Sequence, residues 1–170
     1  MACGGKIAAM PEHGCGPAGV HLEMPGHLLR RCHQIAVGVF MDECKDHDLT
    51  PLQFVTLSAL AHHGEMDHAS LGGVAALDRT TVAVVVKNLA EREFVEVRQS
   101  EKDRRSKLVK LTPAGQATFE SALPSVEGAQ AKILAPLSVD DQHLLLSLLN
   151  KMALGNNALS RAPVRVLERT

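Results

Sequence analysis

Between Glu101 and Lys107 the chain reads EKDRRSK, which puts Lys102, Arg104, Arg105 and Lys107 within six residues, with Asp103 among them. Cations this crowded repel one another, and binding an anion relieves them; arginine forks suit phosphate above all. A second set of donors lies upstream. Asp78 is followed by Arg79, Thr80 and Thr81, then by Val84 and Lys87. A charge run in a turn is often no more than a solvated face. What separates the two readings is the element that stands beside it.

Other residues could do chemistry of other kinds. Cys32 lies in RRCHQ beside two arginines, an environment that suits a reactive thiolate, but it also falls on an apolar stripe, where a free cysteine is a small hydrophobe. His62, His63 and His68, with Cys44 and His47, suggest metal, yet H-H-x4-H and C-x2-H are not zinc spacings. No nucleophile elbow, phosphate-binding glycine loop or catalytic zinc motif occurs. The chain is therefore not read as an enzyme, and no metal or cofactor is required.

The elements that must position the cations come from capping residues and periodicity. Residues 24–45 are helical by the spacing of Leu28, Cys32, Ile35 and Val39, widened by Leu29, Ala36 and Phe40. A band that wide suits either a buried helix or one shared with a partner subunit. Thr50, Pro51 and Gln53 form a capping-box start, with Gly64 as the stop. A short helix over 68–77 starts near Asp67 or Ser70; its two glycines are tolerable where another helix packs closely. Asp78 caps a third helix running to Phe94, with Val82, Val85, Val86 and Leu89 inward. The period then changes to two, and a hairpin with a charged tip follows. Thr112-Pro113 opens a helix to about residue 134, with a bend site at Pro124. Ser138 opens another, Leu-rich, ending at Gly155.

Composition is that of a folded soluble protein. The 170 residues include 45% hydrophobic and 22% charged, and no apolar run reaches the length of a membrane span. The opening segment is not a signal peptide, so the four cysteines, Cys3, Cys15, Cys32 and Cys44, are expected to be reduced and the protein cytoplasmic. Net charge is −1, but residues 78–110 carry nine Lys and Arg against six Asp and Glu. One segment could thus meet a polyanion that the whole chain would not attract.

Helix, short helix, helix, charged hairpin is the order of a winged helix-turn-helix. Its third helix fits the major groove of DNA, and its hairpin can set cations against a minor groove. The stretches 74-VAALDRTTVAVVVKNLAEREFVEV-97 and 103-DRRSKLVKLTPAG-115 resemble the MarR family of bacterial transcription regulators. The resemblance is strongest over residues 49–123, and Asp103, Arg105, Leu108, Leu111 and Thr112 match the wing pattern. It implies a mainly α fold with a small β-hairpin wing, dimeric through its N- and C-terminal helices. Residues 1–23 would be a flexible arm and 24–48 a dimerisation helix. Residues 49–112 would be the DNA-binding lobe, 113–155 the C-terminal dimerisation helices and 156–170 a loose tail.

By the same resemblance, Arg105 enters the minor groove and Asp103 braces it or an adjacent stretch of backbone. Arg79, Thr80 and Thr81 face the major groove. Many members carry an arginine or another polar residue where this chain has Val84, so readout there is apolar unless the helix is turned otherwise. The partners implied are double-stranded DNA with an inverted repeat, a second copy of the chain and a small-molecule effector; no membrane is implied. An aromatic or heteroaromatic acid would find polar contacts among Arg31, His33, His62 and His63, and walls in Phe40 and Phe54. The segment 24-MPGHLLRRCHQIAVGVF-40 is also similar to regulators of nicotinate degradation. The function implied is a repressor released from its operator by such an acid. The alternatives are a thiol-based regulator through Cys32, a metal-responsive regulator, or a winged-helix module that binds protein and not DNA.

Overall fold

The computed structural model describes residues 20–165 except 102, 104 and 105. The arm over residues 1–19, with Cys3 and Cys15, and residues 166–170 lie outside the described residues, as do the three wing cations Lys102, Arg104 and Arg105. By its contacts the chain divides at Ile35–Ala36, and each unit is taken by itself.

The first unit holds a short turn, Val20–Glu23, and the start of helix α1 (Pro25–Glu43). Arg30 Nη1 donates to Gln34 Oε1 at 2.8 Å along this helix. Leu28, Leu29, Cys32 and Ile35, the residues of the apolar stripe, are exposed.

The second unit follows the order read from capping residues. Helix α2 (Pro51–His63) opens on a complete capping box: Thr50 Oγ1 accepts from the Gln53 amide at 3.2 Å, and Gln53 Oε1 from the Thr50 amide at 2.9 Å. Strand β1 (Met66–Asp67), helix α3 (His68–Ala75) and helix α4 (Arg79–Glu91) come next. Strands β2 (Val95–Gln99) and β3 (Lys107–Leu111) form the hairpin, and helices α5 (Pro113–Leu134) and α6 (Val139–Gly155) complete the fold. The sheet is antiparallel in the order β1-β3-β2, with Met66 opposite Val109 and Val95 opposite Leu111. The core gathers Leu57 and Leu60 of α2, Leu71 of α3, Val82, Val85, Val86 and Leu89 of α4, and Val95 and Val109 of the hairpin.

Several boundaries differ from the sequence reading. Helix α3 stops at Ala75 because Ala76 turns left-handed, with φ 53°, and the Leu77 amide donates back to Gly72 O at 2.9 Å. Helix α4 stops at Glu91, three residues before Phe94. Glu93 is left-handed at φ 58°, and the Phe94 and Glu93 amides close on Leu89 O and Ala90 O in a Schellman pattern. Strand β1 was not expected, since two residues are too short to display alternation. Helix α5 passes through Pro124 without a break. The segment read as a loose tail from residue 156 holds a turn over Asn157–Leu159 and is hydrogen-bonded as far as Arg165.

One junction ties the hairpin to both neighbouring helices. The Thr112 hydroxyl donates to Glu93 O at 2.7 Å and accepts from the Gly115 amide at 3.0 Å; the Thr112 amide donates to Phe94 O at 3.1 Å. Gly115 completes the fit, since a Cβ there would lie 2.0 Å from Phe94 O. Gly115→Ala should therefore destabilise the chain by about 3 kcal/mol, the upper range for overpacking. Gly128→Ala, exposed on α5 and 3.6 Å from Glu43 Oε2, should instead add up to about 1 kcal/mol. Urea unfolding of both variants checks this, and equal effects would contradict the junction.

Candidate nucleic-acid interface

Helix α4 has two faces. Val82, Val85, Val86 and Leu89 are buried, which fixes the rotation of the helix. Arg79, Thr80, Ala83, Val84, Lys87 and Asn88 then point outward and are exposed. Val84 is 54% exposed in the middle of this face. The helix phase read from the apolar spacing thus holds, and an apolar side chain stands where it can meet a base edge or a thymine methyl. Ala83 and Asn88 share the outward face; the heptad spacing could have found them, but neither residue type draws notice.

Helices α3 and α4 lie at 104° to each other, within the range of a helix-turn-helix. Gly72 makes the turn possible: a Cβ there would be 2.7 Å from Leu77 O and 3.2 Å from Val82 Cγ2. The close packing expected at the glycine pair is thus, at Gly72, with the turn into α4.

The first turn of α4 is held by Asp78. Its Oδ1 accepts from the Thr80 amide at 2.9 Å and the Thr81 amide at 3.0 Å, and its Oδ2 accepts from the Thr81 hydroxyl at 2.7 Å. Hydrogen bonds from Thr81, backbone first, hold the carboxyl below its ordinary range. The Thr81 proton is therefore committed. Toward a base this residue offers a lone pair or its methyl group and not a donor. Lys87 pairs only loosely with Glu91, at 3.6 Å between two exposed side chains, an attachment that phosphate can replace at little cost.

The wing stands beside α4. Across its turn the Ser100 amide donates to Ser106 O and the Ser106 amide to Asp103 O, both at 2.9 Å. Asp103 and Lys107 are exposed there. Arg98 forks onto Glu65 with two bonds of 2.7 Å. The Arg98 hydrogen bond is the main cause holding the Glu65 carboxyl below its ordinary range. Arg98 therefore braces the sheet. No sequence signal marked this, because the partner is 33 residues away beside the unexpected strand β1.

A cleft of about 690 Å³ opens between α3, the start of α4, the base of the wing and residues 161–165. Arg79, Lys107, Arg161 and Arg165 line it together with His68. Burial, then Lys107, holds the His68 imidazole below its ordinary value. The two C-terminal arginines were not singled out from sequence.

The residues considered for a small ligand lie on α1 and α2. Phe40 and Phe54 pack on one another at 6.1 Å between ring centres, and Phe54 on Phe119 at 5.4 Å. His62 and His63 lie edge to face at the exposed end of α2, two turns beyond Phe54. Arg31 and His33 are exposed on α1. Cys32 is exposed and not the buried hydrophobe that its stripe suggested, whereas Cys44 is buried and its thiol pushed up by that burial. Among the described residues no group of three His, Cys, Asp or Glu is placed to hold a metal ion, and no single helix is long and apolar enough to cross a membrane.

Three core helices with a sharp turn before the exposed one, followed by a two-stranded wing, define a winged helix-turn-helix. Comparison with known proteins gives the family. A model of the MarR family matches residues 49–107. The transcriptional repressor NicR of Pseudomonas putida is 35% identical over 130 residues, covering 76% of this chain and 82% of NicR. The chain belongs to the MarR family. Among solved structures it is similar to Bordetella bronchiseptica BpsR, whose DNA binding is regulated by 6-hydroxynicotinic acid, at 34% identity and a TM-score of 0.73, covering 78% of this chain and 95% of BpsR. It is also similar to the repressor CouR bound to a 23-mer DNA duplex, at 25% identity and a TM-score of 0.74, covering 82% of this chain and 99% of CouR.

The depressed Asp78 carboxyl gives a signed expectation. A cap that works as carboxylate stabilises the fold above the ordinary aspartate range, near pH 4, and loses that effect as pH falls through its lowered folded value. Asp78→Ala should lower the melting temperature at pH 7, and the gap from the parent should shrink as pH falls below the ordinary aspartate range. A gap that stays constant would contradict the capping role.

Proposed function

We propose that the chain is a homodimeric transcriptional repressor that binds an inverted-repeat operator and is released by a small heteroaromatic acid of the hydroxynicotinate type. The observation that carries the DNA-binding part is the outward face of α4. Its Arg79, Thr80, Val84 and Lys87 are exposed and held rigid from behind by four buried apolar residues. A rigid helix with an open face and cations in the adjoining wing suits the major groove and its flanking phosphates. Lys102, Asp103, Arg104, Arg105 and Lys107 are the wing contacts of this reading, with Arg105 in the minor groove.

Dimerisation is supported by the apolar surface that a single chain leaves in water. Helix α6 has no buried residue, and its Leu144 and Leu148 are 56% and 54% exposed. A Leu-rich helix in that state is half of an interface. A two-fold dimer then sets two α4 helices about one DNA turn apart.

The effector part rests on the likeness to NicR and BpsR. The ligand acts only if it binds the two dimer shapes with different affinity. Arg31, His33, His62 and His63 are each candidates to meet its carboxylate, with Phe40 and Phe54 as walls. The second reading is a thiol response through Cys32, which lies between Arg31 and His33 on α1.

Fluorescence anisotropy with DNA from upstream of the chain's own gene tests these parts together. Arg105→Ala should weaken binding by about tenfold or more on every sequence and lower the salt slope by about one. Thr81→Val should mainly relax sequence preference. 6-Hydroxynicotinic acid should release the DNA and peroxide should not; the reverse would favour the thiol reading. Unaltered affinity in Arg105→Ala would favour a protein-binding module. Leu148→Glu should halve the mass seen by sedimentation and remove operator affinity.

A further inference from the structure

We propose that residues 161–165 form an arm that extends the DNA interface, with Arg161 and Arg165 holding backbone phosphates beside the recognition helix. The proposal rests on the DNA-binding reading and adds a contact surface to it.

The arm is held by specific bonds. Asn157 pairs with Val164 on both sides: its Nδ2 donates to Val164 O at 3.0 Å and its Oδ1 accepts from the Val164 amide at 2.8 Å. The Ala162 amide donates to Ser160 Oγ at 3.1 Å. The Arg165 amide then donates to Gly73 O on α3 at 2.9 Å. Gly73 is what lets the arm lie this close. A Cβ there would stand 3.1 to 3.3 Å from Cβ, Cδ and Cγ of Arg165, so the arginine stem occupies the space of the missing side chain.

This docking joins two arginines to a site that already holds Arg79 and Lys107. The carboxylates of the cleft do not balance them. Asp67 accepts from the Ala69 and Ser70 amides and the Ser70 hydroxyl, and Asp78 accepts from the Thr80 and Thr81 amides and the Thr81 hydroxyl. Both work as helix caps. Among the described residues, Arg161 and Arg165 are exposed and neither guanidinium has an ion-pair partner. Four cations against two capping carboxylates leave the cleft positive, and a polyanion can meet several of those cations at once.

The arm adds to the recognition face and does not cover it. With the arm docked, Arg79, Thr80, Val84 and Lys87 remain exposed. The cleft touches α4 at Arg79 and Ala83 and the wing at Ser106 and Lys107. The arm therefore stands where the phosphates bordering the groove would run.

The test uses the full chain on its upstream DNA and on a scrambled duplex, each at three salt concentrations. The R161A/R165A variant should bind both duplexes about tenfold more weakly at physiological salt, with a salt slope lower by about two. The preference for the operator should be kept, because phosphate contacts carry no sequence information. R161K/R165K, which keeps the charges, should restore the slope. Circular dichroism melting should be the same for all three proteins. Unchanged affinity and slope in R161A/R165A would overturn the proposal, and so would tighter binding, which would make the arm a cover. The slope on the scrambled duplex tests the arm even if the parent shows no operator preference, an outcome that would count against the regulator reading alone.

Discussion

The wing and the recognition helix are useful only at a fixed distance and angle from each other, and the Thr112 junction supplies that constraint. One hydroxyl joins the end of α4, through Glu93 O, to the start of α5, through the Gly115 amide. The same residue's amide binds Phe94 O, which is also the atom that excludes any side chain at position 115. The left-handed Glu93 turns the chain out of α4 into β2 at this point. Register follows: Val95 sits opposite Leu111, and the pairing runs outward to Gln99 and Lys107, from which the charged turn projects. The buried face of α4 sets which of its side chains point outward.

Electrostatics then sorts the cations by what already holds them. Arg98 is forked onto Glu65, and Arg92 is bound to the carbonyls of His47 and Asp48 and lies 4.6 Å from the centre of the Phe94 ring. Lys132 bridges Asp42 and Glu43. These residues fasten elements to one another. Arg79, Lys107, Arg161 and Arg165 surround a common cleft whose acids are engaged as caps. A chain of net charge −1 can thus present a positive surface on one side, because that cleft gathers four Lys and Arg against the two carboxylates Asp67 and Asp78.

Much of this was legible from residue type and spacing. Thr50, Asp78, Thr112 and Ser138 each cap a helix where their chemistry said they would, because a cap is a local interaction complete within four residues. The inward stripe of α4 was legible for the same reason. What escaped reading is non-local. The Arg98–Glu65 fork, the two-residue strand β1 and the docking of Arg165 on Gly73 join positions that only the folded chain brings together. The helix ends at Ala75 and Glu91 were misjudged because left-handed Ala and Glu carry no signal comparable to glycine. The exposure of Cys32 differed because a stripe identifies a face that seeks a partner, without naming it.

The proposed account makes the apolar face of α6 and the outward face of α4 parts of one device: the first pairs two chains, and pairing sets the spacing at which two recognition helices meet DNA. Selection of the full chain against a random duplex pool tests this most directly, since it assumes no operator. The account predicts enrichment of an inverted repeat whose half-sites are centred about one helical turn, roughly 10 base pairs, apart. Enrichment of a single unrepeated site, or none above the starting pool, would contradict it.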